Sequence, residues 1–185
     1  RRKWEEKVDE LIAFGDSDLD LVGLLNQPNA LGYTLPNGVS THADWARKTP
    51  DEILKDLNGM RAKVYTTSKG VFQVNTILLP LAQHTHISTT ARSESSDVTI
   101  LEFFLKNNPG VSVKPWFRCT GAGVGNTDRM VGYNDSDEFL EFYVSMEFEQ
   151  LPVQEKGIGF EVNCMGGAGG VVAYYPTTLI YGDGI

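Results

Sequence analysis

The chain has 185 residues, of which 41% are hydrophobic and 22% are charged, and this is the composition of an ordinary globular domain. Its formal net charge is -8, and beyond Arg1-Arg2-Lys3 it has no run of Lys or Arg. This argues against sequence-specific nucleic-acid binding, which draws much of its affinity from phosphate neutralisation, but it is compatible with an acidic wall around a packaged polymer. No segment approaches the roughly 18 consecutive apolar residues that span a bilayer, and none has the pattern of a signal peptide.

The first 13 residues predict an amphipathic helix. Apolar side chains recur at helical spacing between charged ones: Trp4, Val8, Leu11 and Ile12. Phe-Gly-Asp at 14–16 ends this helix, with Gly15 suited to the left-handed cap position. Residues 21–44 show no sustained period and are rich in Pro, Gly and Asn, which predicts a long surface connection that contains a hairpin at most.

The strongest local signal is Thr-Pro-Asp-Glu at 49–52, which supplies an N-cap hydroxyl, a proline at the first helical position and a capping-box glutamate. It predicts a helix over 49–66. The stripe expected to be buried on this helix is Ile53, Leu54, Leu57, Met60, Arg61 and Val64. The apolar run 76–79 ends at Pro80, which predicts a buried strand followed by a brief helix through about Ser88.

A further helix is predicted after Ser96 or Asp97, either of which could cap it, and Asn-Asn-Pro-Gly at 107–110 ends it. Its apolar positions are Ile100, Leu101, Phe103, Phe104 and Leu105. These are too many for one stripe, so we expect burial on most sides of this helix.

Strands are predicted in the rest of the chain, over 111–118, 129–133, 139–148, 158–164 and 171–175. Alternation within 139–148 predicts a single strand whose core-facing residues are Leu140, Phe142, Val144 and Met146. Helices that come first and strands that come later indicate an α+β fold.

Phe-Gly-Asp-Ser at 14–17 resembles the first block of the Gly-Asp-Ser-Leu esterases and lipases. Those enzymes have a strand before the serine and an Asp three residues before the catalytic His. Here a helix precedes Ser17, and none of His42, His84 and His86 has an Asp at that spacing. We interpret the segment as the end of a helix.

The acidic spacing of Asp16, Asp18 and Asp20 opens like a calcium loop. However, the sixth position is Leu21 instead of Gly, and the twelfth is Gln27 instead of Glu. The segment is therefore interpreted as a solvated acidic turn.

Two glycine-rich segments and one pair of histidines complete the candidate motifs. No helix follows 121–125, as a nucleotide-binding loop would require, so we interpret this segment as a loop between strands. No Lys-Ser/Thr follows 166–170, as a phosphate-binding loop would require, so we interpret this segment as a bend or bulge between strands. His84 and His86 have no third ligand and are expected on a helix that points them apart, as solvent or interface residues.

The two cysteines, Cys119 and Cys164, lie far apart without Cys-x-x-Cys spacing and are interpreted as reduced thiols. No nucleophile is paired with a base, and no two carboxylates have a recognisable spacing. The residues therefore predict no catalytic, cofactor-binding or metal-binding site and no cofactor.

Short motifs in a fixed order cover nearly the whole chain: 14–16, 23–26, 49–53, 75–80, 99–109, 121–123, 127–130, 148–152, 175–177 and 181–185. In this order they resemble the encapsulin-like major capsid proteins of tailed bacteriophages and prophages. The chain departs from that family at His84-Thr85-His86, where relatives often carry an aromatic residue, and at the glycine-rich 166–170.

The resemblance implies an α+β tailed-phage capsid fold with a spine helix and two domains. A peripheral domain would contain residues 1–48 and 138–165, and an axial domain would contain 49–137 and 166–185. In the family an N-terminal arm and an extended loop reach onto neighbouring subunits. Because Arg1 already lies in a predicted helix, we expect the arm and the extended loop to precede it. Without these elements, the 185 residues alone are expected to be monomeric or weakly associated.

The function implied by the resemblance is structural rather than enzymatic. A major capsid subunit self-assembles through pentamers and hexamers into an icosahedral head, and double-stranded DNA is enclosed without sequence-specific binding. Scaffold and portal proteins are further partners, and no membrane is involved. The expected location is the virion capsid, after assembly in the host bacterial cytoplasm. The alternatives are an encapsulin-type nanocompartment shell subunit and a small Gly-Asp-Ser esterase that uses Ser17.

Overall fold

The computed structural model describes residues 1–93 and 96–185. Its helices are α1 (Arg2–Phe14), α2 (Pro50–Thr67), α3 (Leu81–Thr89) and α4 (Ile100–Asn107). Its strands are β1 (Gly15–Asp16), β2 (Leu21–Val22), β3 (Leu31–Tyr33), β4 (Thr76–Leu79), β5 (Ala91–Ser93), β6 (Ser96–Thr99), β7 (Ser112–Pro115), β8 (Arg129–Tyr133), β9 (Leu140–Phe142), β10 (Met146–Gln150), β11 (Gln154–Lys156), β12 (Gly159–Glu161), β13 (Cys164–Gly167), β14 (Val171–Ala173) and β15 (Ile180–Asp183). Single 3-10 turns cover Ser17–Leu19, Trp45–Arg47, Phe117–Cys119 and Pro176–Thr178.

Two compact units divide the chain. The smaller unit contains residues 1–27 and 140–173, and the larger unit contains 28–139 and 174–185. The sequence predicted a different division, with 28–48 in a peripheral domain and 166–173 in an axial domain. The names peripheral and axial remain predictions. Among the described residues, no helix is both long and apolar enough to cross a membrane.

The larger unit is built on a five-stranded mixed sheet with the order β3-β15-β8-β4-β7. β4 is parallel to β7 and antiparallel to β8, while β15 is antiparallel to β8 and parallel to β3. All four residues of β4 are buried, as the apolar run at 76–79 predicted. The sheet therefore has a fully covered centre and two edge strands, β3 and β7.

Helix α2 contributes much of the core of the larger unit, and it agrees with the helix predicted over 49–66. Glu52 accepts hydrogen bonds from the backbone N–H of Thr49 at 2.9 Å and of Val39 at 2.8 Å, so it forms the predicted capping interaction and also holds the preceding loop. These two N–H groups lower the pKa of the Glu52 carboxyl. The buried stripe contains the predicted apolar residues, but Arg61, which was also predicted there, is only half-buried. Asp56 is a charged residue that was not expected in the stripe, and it is buried.

The smaller unit consists of α1 and four pairs of short strands: β1 with β2, β9 with β14, β10 with β13, and β11 with β12. Helix α1 confirms the first predicted helix, and Gly15 follows it with φ 72°, in the left-handed region that favours glycine. Of the residues of α1, Leu11 and Ala13 are buried.

The predicted caps of α4 were wrong. Ser96 and Asp97 belong to β6, which pairs with β5, and the N-cap is Thr99, whose hydroxyl accepts from the N–H of Glu102 at 3.2 Å. The burial predicted for this helix was too extensive as well, because only Ile100 and Phe104 are fully buried.

The long strand predicted over 139–148 was also wrong, because the structure has β9 and β10 there, and each pairs with a different strand. Val144 and Met146 were expected in the core, yet they are 48% and 46% exposed. Strand β7 is shorter than the predicted 111–118, and 158–164 divides between β12 and β13. β8 has the predicted bounds.

Candidate assembly surfaces

Ser17, the candidate nucleophile, begins a 3-10 turn in the smaller unit. The three histidines of the chain, His42, His84 and His86, all belong to the larger unit. Neither compact unit therefore contains both Ser17 and a histidine. Ser17 instead follows the end of α1, as the sequence predicted.

The acidic turn at 16–20 is organised by its own backbone. The Asp16 carboxylate accepts a hydrogen bond from the N–H of Asp18 at 3.0 Å, and Asp20 adopts a left-handed conformation with φ 54°. Across residues 1–93 and 96–185, no group of three or more His, Cys, Asp or Glu side chains is placed to hold a metal ion.

The glycine-rich loop 121–126 leads into β8 without a helix, as predicted. Its amides already have protein partners: the N–H of Gly121 donates to Asp128 at 3.0 Å, and the N–H of Val124 donates to Asp183 at 3.1 Å. Two carboxylates thus stand where a phosphate would have to bind. Repulsion between like charges disfavours nucleotide binding at this loop.

Asp183 is itself held by Arg129, whose guanidinium contacts both carboxylate oxygens at 2.6 and 2.8 Å. Burial alone would raise the pKa of Asp183, but the hydrogen bonds from Arg129 and from the Val124 N–H lower it below its ordinary value. The Arg129 guanidinium also lies 4.5 Å from the centre of the Tyr181 ring. The end of the sheet beside β15 is therefore rigidly organised.

His84 and His86 lie on α3 and are both half-buried. Two helical positions that differ by two residues point to different sides of the helix, so these imidazoles do not converge on one ligand. His86 borders a small cavity together with Trp45 and Gln83.

The glycine-rich segment 166–170 permits close packing in the smaller unit. A Cβ at Gly166 would lie 2.8 Å from the Trp4 ring, and a Cβ at Gly170 would lie 2.7 Å from the Val22 carbonyl oxygen. Residues 168–170 connect β13 to β14, which agrees with the predicted bend between strands. The register between β10 and β13 also shifts, but the extra residue lies on β10, between Met146 and Glu149, and not in the glycine-rich segment.

Both cysteines are free, as predicted. Cys119 is buried in the larger unit, and burial raises the pKa of its thiol to about 12, so it is an unreactive core residue. Cys164 is exposed at the start of β13.

The β11–β12 hairpin of the smaller unit carries exposed apolar residues, and sequence reasoning missed this hairpin. Its two-residue turn is Gly157-Ile158, with φ 64° at Gly157, which is the position where a type II′ turn requires glycine. Ile158 is fully exposed, and Phe160 is 74% exposed. Val153 and Val162, on either side, are exposed as well. Side chains left in water contribute nothing to the folding of a small hairpin, so these residues form a candidate contact surface.

A signal for this hairpin was present in the sequence. The dipeptide Gly157-Ile158 separates two three-residue strands. In the pairing of these strands, Lys156 lies opposite Gly159, and Gln154 lies opposite Glu161. Lys156 and Glu161 form an ion pair at 2.6 Å across the hairpin. A two-residue turn that begins with glycine is a hairpin signal, but Ile158 and the residues after it were assigned to a single strand over 158–164.

The fold matches the solved structure of the capsid of Myoviridae phage XM1 with a TM-score of 0.86 and 16% identity. It also matches a virus-like particle from Pyrococcus furiosus (TM-score 0.65, 13% identity) and the SrpI encapsulin complex from Synechococcus elongatus PCC 7942 (TM-score 0.54, 14% identity). The class of fold is therefore that of the tailed-phage capsid and encapsulin shells.

These matches cover 100%, 97% and 99% of the chain but only 62%, 64% and 61% of the respective matched chains. A comparison with curated protein sequences finds no significant match. The sequence of residues 1–185 matches the family described as major capsid protein over its whole length. The chain belongs to the major capsid protein family, as its ordered motifs predicted.

Proposed function

We propose that the chain is the core of a major capsid subunit that self-assembles into an icosahedral phage head around double-stranded DNA. The observation that carries this proposal is the family match over all 185 residues, which agrees with the fold. The role is structural, and we propose that the protein has no enzymatic activity. Its location would be the virion capsid, after assembly in the cytoplasm of a bacterial host.

Other copies of the same chain are the main partners. We propose that they form pentamers and hexamers, and that the β11–β12 hairpin is one surface at which copies meet. Exposed Ile158 and Phe160 would there lose the contact with water that they have in the free subunit. Individually modest contacts of this kind become collectively strong when the assembly closes.

The net charge of -8 suits a container for DNA, because an acidic wall leaves the polymer free to slide. Scaffold and portal proteins are proposed partners, and a membrane is not. In this arrangement the DNA is enclosed without sequence-specific binding, since a net charge of -8 does not favour binding to its phosphates.

The assembly is tested by sedimentation velocity on the complete gene product. A closed shell would sediment as a particle of megadalton size, whereas an isolated subunit would sediment near the monomer mass. A persistent monomer at all protein and salt concentrations would contradict the proposal.

An encapsulin-type nanocompartment is the second candidate, because two of the structural matches are a virus-like particle and an encapsulin. The genes beside the coding sequence separate the two functions: portal and terminase genes indicate a phage head, and a cargo-enzyme gene indicates a nanocompartment. The esterase alternative is tested by hydrolysis of a generic ester. Activity that disappears in Ser17→Ala would support it, and we expect no activity above background.

A further inference from the structure

The five-stranded sheet of the larger unit carries an exposed aromatic side chain beside one edge strand and an open cavity beside the other. Phe117 follows β7 and is 75% exposed. The cavity lies next to β3 and β15 and has a volume of about 370 Å³. Its lining includes Tyr33, Leu35, Ala43, Val124, Tyr181 and Asp183. Both features belong to the same compact unit, so their relative positions are fixed by one sheet.

The strand registers place the two features at the same end of the sheet. Pro115, two residues before Phe117, pairs with Leu79, the last residue of β4. On the other side, Tyr33 pairs with Gly182 near the end of β15. β7 and β3 are four strand spacings apart, which corresponds to about 19 Å.

The backbone that carries Phe117 is fixed. The N–H of Trp116 donates to the Leu79 carbonyl at 2.8 Å, and Cys119, two residues after Phe117, is fully buried. The Phe117 ring therefore projects from an anchored turn. A single exposed apolar residue is common on protein surfaces and by itself carries no inference. Its relation to the cavity carries the inference here.

The cavity is also preformed. Its Val124 wall belongs to the loop 121–126, which is held by the bond from Val124 N–H to Asp183 and by a 2.7 Å bond from Gly123 N–H to the Thr127 carbonyl. The Arg129–Asp183 pair fixes the adjoining end of β15. A cavity whose walls are already ordered loses little conformational entropy when it accepts a side chain.

We propose that Phe117 of one copy inserts into this cavity of the next copy. This inference rests on the proposed shell function and specifies one contact within it. Because the inserting residue and the receiving cavity lie at opposite edges of one sheet, the contact is heterologous, and repeating it around an axis gives a ring. An open row of copies joined by this contact has one free Phe117 at one end and one free cavity at the other until the ring closes.

Hydrogen bonding between edge strand β7 of one copy and edge strand β3 of the next is disfavoured. The contact is therefore expected to be made by side chains. β7 has Pro115 at its end and exposed Lys114 beside it, and both residue types protect an edge strand from adding another strand. On β3, the Gly32 carbonyl already accepts a hydrogen bond from Lys63 at 2.7 Å.

The test replaces Phe117 with the photoreactive aromatic amino acid p-benzoylphenylalanine in the complete gene product and irradiates the assembled particles. We expect cross-linked dimers in which mass spectrometry maps the attachment to residues 33–35, 124 or 181. Particles that form but cross-link elsewhere, or not at all, would overturn the inference and leave the shell function standing. Failure of the unaltered protein to assemble would overturn both.

A second pair of variants covers the case in which the photoreactive residue blocks assembly. We expect Phe117→Ala to reduce the yield of assembled particles about tenfold or more, as loss of an interface anchor does. Val71→Ala is the matched control, because Val71 is an apolar residue of the same unit with 71% exposure, and it should assemble normally. Circular dichroism should show both variants folded. Normal assembly of Phe117→Ala would contradict the proposal.

Discussion

The Lys48 ammonium lies 2.6 Å from a carboxylate oxygen of Asp56, and the two side chains are 1% and 0% exposed. The same oxygen accepts a hydrogen bond from the Trp45 indole at 3.0 Å. The other Asp56 oxygen has no hydrogen-bond partner. This buried network connects the loop before α2 to the helix. Burial raises the pKa of Asp56, and the hydrogen bonds from Lys48 and Trp45 offset this increase only in part.

Removal of one member of this pair should be much worse than removal of both. Asp56→Leu or Lys48→Met alone leaves a buried charge without its partner, and we expect each to cost about 3–5 kcal/mol of unfolding free energy. The double variant removes both charges and leaves only the Trp45 indole N–H without its acceptor, so it should cost less than either single variant, about 1–3 kcal/mol. Urea unfolding of the four proteins measures this coupling. Additive effects of the two single substitutions would show that the charges do not stabilise each other.

Acid should release the loop 121–126. The folded-state pKa of Asp183 is lowered, so its stabilising contribution is complete above the unfolded pKa near 4 and is lost as pH falls through the lower folded value. Hydrogen exchange of the Val124 amide, corrected for its intrinsic pH dependence, should therefore show protection at neutral pH that disappears well below pH 4.

Asp183→Asn is the control for this acid transition. The amide still accepts a hydrogen bond but cannot ionise, so exchange at Val124 should be faster at neutral pH and should lack the acid step. An acid step that persists in this variant would assign the transition to another group.

Gly23 should not tolerate a side chain. A Cβ at this position would lie 2.4 Å from the backbone of Ala13, and no flexible side chain is there to move aside. We expect Gly23→Ala to destabilise the protein by at least about 2 kcal/mol, as overpacking does. Gly159→Ala is the control in the same unit, because the nearest atom would be 4.0 Å away, and it should change stability by less than about 0.5 kcal/mol. Equal thermal shifts for the two variants would refute this packing argument.

The β11–β12 hairpin should be needed for assembly but not for folding. Ile158→Asp and Phe160→Asp place a charge on exposed apolar positions, so the isolated subunit should keep its fold while shell formation is lost. Leu19→Asp, at another exposed apolar site of the smaller unit, is the control and should assemble. Circular dichroism and sedimentation separate the two effects. Normal shells from both hairpin variants would remove the hairpin from the contact surfaces.

Helices were predictable because their signals are local. Residues 49–52 define the start of α2 by themselves, since the capping groups lie within one turn. The start of α4 was missed because Ser96 and Asp97, which are good caps in isolation, are used by β6 in pairing with β5. Pairing with another strand outweighed the local cap preference.

Strand pairing could not be predicted because it depends on partners that are distant in the sequence. The buried charges could not be predicted because burial is decided by tertiary packing, even though Lys48 and Asp56 are only eight residues apart. Alternation continues through 140–147, but β9 pairs with β14 and β10 pairs with β13, so the strand is interrupted between them. Lys48 and Asp56 are charged, and charged side chains are rarely buried unless they are paired. Nothing in the sequence therefore indicated that these two side chains lie in the core. The ordered short motifs identified the family, while the signal for the β11–β12 hairpin was present at Gly157-Ile158 but was not recognised.

Electron microscopy of the complete gene product tests the central claim most directly. We expect closed icosahedral shells, or rings of capsid subunits, in negative stain, with density for this fold in every subunit on reconstruction. A uniform population of small particles that never associates, under any tested salt or protein concentration, would contradict the assignment of this chain as a shell subunit.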